Sequence, residues 1–390
     1  MAGHDELLAD LGSTLFASLP RSDQRGMALT YVRGLLTTRG RKSFRNMAAS
    51  LGVPRLEQRL HHFISCSTWD WAPLARAAAG TVMPMAPPEG WVLRTLVTPR
   101  TGESTVGVHK RFCPGYGQVL NAQYAVGLWA ASTTMCYPLA WRLLLPPEWF
   151  RDEARRARAS IPGNCTPETP VVCGLSAYLD LPDALRGRLP IVMDMRGVDI
   201  PAAVHQLRAV RVPFLVKAYR GLPMTVVDPA LPHVAGPQWT YQIMAAAEEA
   251  AGKAVPTGGP VWGPGNQDAA RGLVAAVRVR LPFHRDGASG SDGHGDPYDL
   301  LLLRTCWEDG QRPDEVWLTN MLDTDATALL SLTALPHRVD DAIEYITAPL
   351  GIRDFTGRSY GGWNRHATLT SVAHAIALLM SEVDGKRPGP

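Results

Sequence analysis

The spacing of apolar positions divides the chain into two regimes. From Leu7 to about Ala79 they recur at helical intervals, as in "MALTYVRGLL" and "RLEQRLHHFI", with Ser22, Ser43 and Pro54 at predicted helix starts. Beyond "MPMAPPEG" the period shortens. The runs "WVLRTLV", "TVGVHKRF", "VLNAQYAVGLWAA" and "CYPLAWRLLL" are split by "TPRTGES", "PGYGQ" and "STTM", which predicts an antiparallel meander with Arg94 and Thr95 at the end of its first strand. A charged helix follows in "PPEWFRDEARRARASIP". The short apolar strand of "RLPIVMDMRGVD" then presents Asp194 at its C-terminal end, as a buried central strand does. "PAAVHQLRAVR" predicts a helix, and "VPFLVKAYR", "MTVVD", "LVAAVRVRLPF", "DLLLLRTCW" and "EVWLTNM" predict further strands. Between two of them, "HRDGASGSDGHGDPYD" reads as a loop; its His284 and His294 sit in a Gly-rich stretch where no metal site is expected. The tail reads as helix, turn and long helix.

Composition narrows the class. With 390 residues, 46% of them hydrophobic, the chain can bury a large core and is expected to form two or three domains. A net charge of +3 over this length does not by itself point to nucleic acid. Its distribution does more. Nine basic residues (Arg21, Arg25, Arg33, Arg39, Arg41, Lys42, Arg45, Arg55, Arg59) stand against Asp23 and Glu57 in one segment, which is either a solvated helix surface or a contact for an acidic partner. The six cysteines (Cys66, Cys113, Cys136, Cys165, Cys173, Cys306) form no C-x-x-C pair and have no His at metal-ligand spacing, so reduced and mostly buried thiols are expected. "MAGHDELLADLG" has no apolar core of signal-peptide length, and the stretches Gly127 to Leu145 and Ala367 to Met380 are interrupted or short. A cytoplasmic protein without membrane spans is the expectation.

A strand meander, a buried strand ending in Asp194, a β-rich insertion and a helix beginning with acids follow the order of an RNase H-like nuclease core. The chain resembles insertion-sequence DDE transposases of the insertion sequence 701 group. The likeness rests on "RKSFRNMAASLG", "HHFISCSTWDW", "GESTVGVHKRFCPGYGQVLNAQYAVGL", "YPLAWRLLLPPEW", "VWLTN" and "LGIRDFTGRSYGGWNRHATL". Several long blocks in order are more specific than a lone motif. The resemblance implies an α/β (α+β) fold: a helical, DNA-binding domain over 1–80, the first part of an RNase H-like core over 81–215, a β-rich insertion over 216–335 and C-terminal helices completing the core over 336–390.

The resemblance also implies three carboxylates that hold two divalent ions for phosphoryl transfer. In the family, the first lies in an Asp-Asp-Thr run; here Arg94 and Thr95 occupy those Asp positions. The second matches Asp194, the third falls on Asp340 in "HRVDD", and a Lys seven residues on is replaced by Thr347. A cation where a metal ligand is required, a shortened third acid and a missing Lys imply a degenerate site, no bound metal and lost strand transfer. Arg94 is expected to pair with Asp194, Asp340 or both.

Two functions remain after that loss. One is a DNA-binding or regulatory protein using Arg41, Lys42, Arg45 and Arg59, together with Arg358, Trp363, Arg365 and His366 at the entrance of the last helix, where a phosphate could bind. The alternative reading of the last four residues is packing and capping. The other function is a small-molecule enzyme in the former nuclease cleft, employing Arg94, Asp194, His109 or Tyr116; an active transposase ranks third. Trp69 and Trp71 read as core aromatics, and Asp180 and Asp183 as turn and helix-start residues. A homo-oligomer is compatible with all of these.

Overall fold

A computed structural model describes residues 8, 12–234, 236–251, 271–282, 298–307 and 314–383. His284, His294 and most of the Gly-rich stretch around them lie outside the described residues. The chain is mixed α/β, consistent with an RNase H-like fold, and it divides into two compact units. One takes in the chain up to Pro88, Leu93–Gly187 and the chain from Val339; the other takes in Glu89–Val92 and Arg188–Arg338.

In the first unit, helices α1 (Ser22–Thr37), α2 (Phe44–Leu51), α3 (Leu56–His61) and α4 (Ala72–Val82) precede strands β1 (Gly90–Pro99), β2 (His109–Cys113), β3 (Gln118–Ala131) and β4 (Cys136–Leu144). The helix starts follow from local chemistry. Ser43 accepts a hydrogen bond from the Asn46 amide to cap α2, and Gly52, at φ 65°, ends that helix in the left-handed conformation. The predicted meander forms. β3 pairs antiparallel with β2 over Gln118–Ala122 and with β4 over Tyr124–Ala131, and β1 is its third neighbour. The helical segment expected as a separate domain lies in the same unit as this meander and the chain's last helix, α9 (Tyr360–Val383). That helix packs on β4, α1, α4 and the turn after α3. Its residues Trp363 to Thr370 are all buried, so polar groups in it must find partners inside the protein. Helix α5 (Pro170–Leu179) covers β3 and β4.

In the second unit the strand order is β5-β6-β11-β10-β9-β7-β8, from β5 (Ile191–Met193), β6 (Phe214–Ala218), β7 (Pro223–Val226), β8 (Pro237–Trp239), β9 (Arg271–Arg280), β10 (Leu300–Trp307) and β11 (Glu315–Thr319). β5 and β6 are parallel, in register Met193 with Val216. Their connection carries α6 (Ile200–Ala209), the long crossover that a parallel pair requires, and α7 (Thr240–Ala251) packs on β9. β11 returns antiparallel to β6, setting Trp317 opposite Lys217. Trp91 and Trp317 are completely buried in this unit, and truncating such a side chain typically costs about 3–5 kcal/mol.

Two sequence expectations need correction. Arg94 is not at the end of its strand but in the middle, because the β-branched Thr95, Val97 and Thr98 carry β1 on to Pro99. The late acids do not begin a helix. Helix α8 runs Ala326–Ala342 straight through Pro336, with Asp340 and Asp341 in its last turn. Proline removes one helical hydrogen bond, and the buried Leu329, Leu330, Leu335 and Val339 hold the helix together on either side.

Candidate functional site

The position of Arg94 follows from strand alternation. Leu93 faces α5, where a Cβ on Gly174 would come within 2.8 Å of it, so Arg94 projects to the opposite face of β1. There it meets the last turn of α8. Arg94 Nε donates to Asp340 Oδ1 at 2.6 Å and Nη2 donates to Oδ2, a bidentate pair. The side chains are 16% and 43% exposed, so water reaches the acid more than the guanidinium. The pairing expected between Arg94 and Asp340 is therefore present.

Asp194 belongs to the other unit. It directly follows β5 and is buried. In the parallel register, the residue after Met193 lies beside the residue after Val216, which is Lys217. Lys217 Nζ donates to Asp194 Oδ2 at 3.2 Å and to Glu315 Oε1 at 2.9 Å, and it lies 5.6 Å from the Trp317 ring centroid. His337, on α8, places Nε2 2.8 Å from the same Glu315 oxygen. A carboxylate oxygen only accepts, so the proton of that contact is on Nε2. Sequence reasoning missed Lys217, Glu315 and His337. The available signal was a single charge within the apolar strand "FLVKA" and one opening the apolar strand "EVWLT", because an unpaired charge in a buried strand is expensive.

The divalent ions that the resemblance implies do not fit this donor set. Arg94 engages both oxygens of Asp340, and the Lys217 ammonium engages an Asp194 oxygen. Among the described residues, no three His, Cys, Asp or Glu side chains are grouped to hold a metal. Thr347 is fully buried. Its hydroxyl lies 2.9 Å from His374 Nδ1 and 3.1 Å from the Ala342 carbonyl.

The residues proposed to meet DNA divide sharply. Arg41, Arg45, Arg59 and Arg358 are exposed. Lys42, Trp363, Arg365 and His366 are buried. Lys42 donates its ammonium to the Thr38 carbonyl and its amide to Asp354, and burial lowers its pKa. Gly351 makes room for it: at φ 91°, a Cβ there would collide with Lys42 Cγ. Arg365 donates to the carbonyls of Trp69 and Ile64, both at 3.0 Å, with Trp69 and Trp71 beside its guanidinium. His366 Nε2 donates to the Gly351 carbonyl at 2.9 Å, and Nδ1 accepts from the Tyr31 hydroxyl at 2.8 Å. Burial pushes this imidazole down to about 4. The C-terminal signature thus clamps α9 to the helices before β1, and Trp69 stacks on Phe63 at 5.2 Å as a core aromatic.

Other candidates also have structural surroundings. His109 Nδ1 lies 3.2 Å from the Gly107 carbonyl, with burial lowering its pKa, and Tyr116 is exposed in the turn between β2 and β3. Asp180 pairs with Arg142 after α5, and Asp183 opens a short helix. All six cysteines are free thiols, three of them buried. No described helix is long and apolar enough to cross a membrane.

A search of curated proteins found no match. The family described as "DDE superfamily endonuclease" matches residues 14–241, more than half of the chain. That span holds the helical segment, the meander, the Asp194 strand and Lys217, and on that match the protein belongs to the DDE superfamily endonuclease family.

Proposed function

We propose that this chain is a transposase-like protein of the insertion sequence 701 type that has lost two-metal strand cleavage and acts by binding DNA. The observation that carries the reading is Arg94, a cation at the family's first acid position, engaging both oxygens of Asp340. Two-metal catalysis needs carboxylates that ligate ions and stabilise charge at phosphorus. A guanidinium at that position repels such ions and competes for the acid. What remains suited to DNA is a set of exposed arginines in the helical segment: Arg39, Arg41, Arg45, Arg55 and Arg59, with Glu57 as the acid beside Arg45.

The test has two parts. Incubation with duplex DNA and Mg²⁺ or Mn²⁺ should give no nicking or joining above a chelator control; cleavage abolished by chelator and by Asp194→Ala would refute the loss. DNA binding should weaken with salt, and Arg41→Ala/Arg45→Ala/Arg59→Ala should reduce the slope of log K against log salt by up to about three units. An unchanged affinity and slope would exclude this surface.

A further inference from the structure

We infer that the outer face of the hairpin formed by β2 and β3 binds an unpaired DNA strand, with Phe112 and Tyr116 stacking on bases and Lys110 meeting the phosphates between them. The inference rests on the DNA-binding reading, but it names a different surface from Arg41, Arg45 and Arg59 and a different form of DNA.

Strand alternation sorts the residues of the hairpin. His109, Arg111 and Cys113 turn to one face of β2, and Lys110 and Phe112 turn to the other. The first face is tied down: the Cys113 thiol lies 2.6 Å from the Tyr124 hydroxyl, and the Arg111 guanidinium sits 4.5 Å over the Tyr124 ring. The second face meets water. Register sets Phe112 opposite Val119 and Lys110 opposite Asn121, and Phe112 and Val119 are 55% and 59% exposed. At the tip, the amides of Tyr116 and Gly117 both donate to the Cys113 carbonyl, at 2.9 and 3.0 Å, and Gly117 takes φ 64°. Tyr116, held in this tight turn, is 48% exposed. A single exposed apolar residue needs no explanation, but a grouped set on one short hairpin does.

The charge around these side chains selects the partner. No Asp or Glu occurs between Glu103 and Glu148, whereas Lys110 and Arg111 are consecutive in β2. Glu148 acts on His109, on the covered face, where Arg111 and Arg155 oppose it. A polyanion that also offers apolar faces fits such a surface. Duplex DNA does not, because its bases are already stacked on one another and its phosphates give Phe112 nothing to contact. An unpaired strand presents base faces and phosphates together, and stacking of bases on aromatic rings beside a basic track is how such strands are held without sequence preference.

The experiment measures binding to the full chain by fluorescence anisotropy, using an end-labelled duplex and the same duplex opened at its centre by a run of unpaired thymines. Wild type should bind the opened DNA more tightly than the closed. Phe112→Ala/Tyr116→Ala should lose about tenfold or more in affinity for the opened DNA and nothing for the closed. Its Tm should not change, because both side chains are exposed. Phe112→Trp/Tyr116→Trp keeps two stacking faces and should retain the wild-type preference.

Equal affinity for the two DNAs, or a preference that survives Phe112→Ala/Tyr116→Ala, would overturn this inference and leave the function reading intact. Absence of binding to either DNA would overturn both. Binding of the opened DNA alone, lost in the alanine pair but kept in Arg41→Ala/Arg45→Ala/Arg59→Ala, would support the hairpin and overturn the arginine surface. If wild type sediments as a dimer and the alanine pair as a monomer, the face holds a second copy of this chain, and the inference falls. A lowered Tm in the alanine pair would show that the two rings are packed into the fold, and the inference would fall with it.

Discussion

Replacing Arg94 with alanine should destabilise the protein by about 1–2 kcal/mol, well short of the roughly 3–5 kcal/mol lost when a buried pair is broken. The difference comes from Asp340, which is 43% exposed against 16% for Arg94. Once the guanidinium is gone, water solvates the abandoned carboxylate, and the penalty of an unpaired buried charge does not arise. What is lost is a bidentate, charge-assisted contact and the packing of the largely covered arginine stem. The assay is a double-mutant cycle with Arg94→Ala, Asp340→Ala and the pair, each followed by urea unfolding. A coupling energy of about 0.5–1.5 kcal/mol is expected, and it should shrink between low salt and 1 M NaCl because the pair is partly solvated. Coupling within about 0.3 kcal/mol of zero would mean that the two side chains do not interact. An Arg94→Ala cost above about 4 kcal/mol would mean that the acid is cut off from water, and either result refutes the reasoning.

Acid should destabilise the protein between about pH 6.5 and 4, because His366 and His374 are fully buried with imidazoles pushed down to about 4, so the unfolded chain binds more protons throughout that window. Stability should fall by up to about 1.4 kcal/mol per pH unit for each imidazole as pH drops, and a His374→Gln variant that kept the full wild-type pH slope would contradict this. Replacing Thr347 with lysine should lower stability by more than about 3 kcal/mol, since the position is completely buried beside neutral His374. A stable Thr347→Lys protein would show that the position opens to solvent.

Local patterning was enough to mark most of the elements, though not where each one ends. The change from helical to two-residue spacing after "MPMAPPEG" was enough to mark the meander, and the apolar run before Asp194 was enough to mark a buried strand, because both patterns record how a segment divides its faces between core and water. The resemblance alone suggested that Arg94 stands at an acid position, and the complementarity of a guanidinium to a carboxylate made a pair with Asp194, Asp340 or both expected; the pair with Asp340 is present.

Tertiary structure decided which charges meet and which are covered. Lys217, Glu315 and His337 come from β6, β11 and α8, and only strand register and helix placement bring them together. Nor did composition separate exposed Arg41 and Arg45 from buried Lys42, because all three are cations in one short run. Gly351, more than three hundred residues away in the chain, opens the space that takes Lys42 inside. The same holds for Arg365 and His366, whose sequence suggests a phosphate site while their partners are the backbone carbonyls of Ile64, Trp69 and Gly351. Periodicity records burial along a single element, whereas the partners of a polar group depend on distant segments whose alignment is fixed only when the whole core packs.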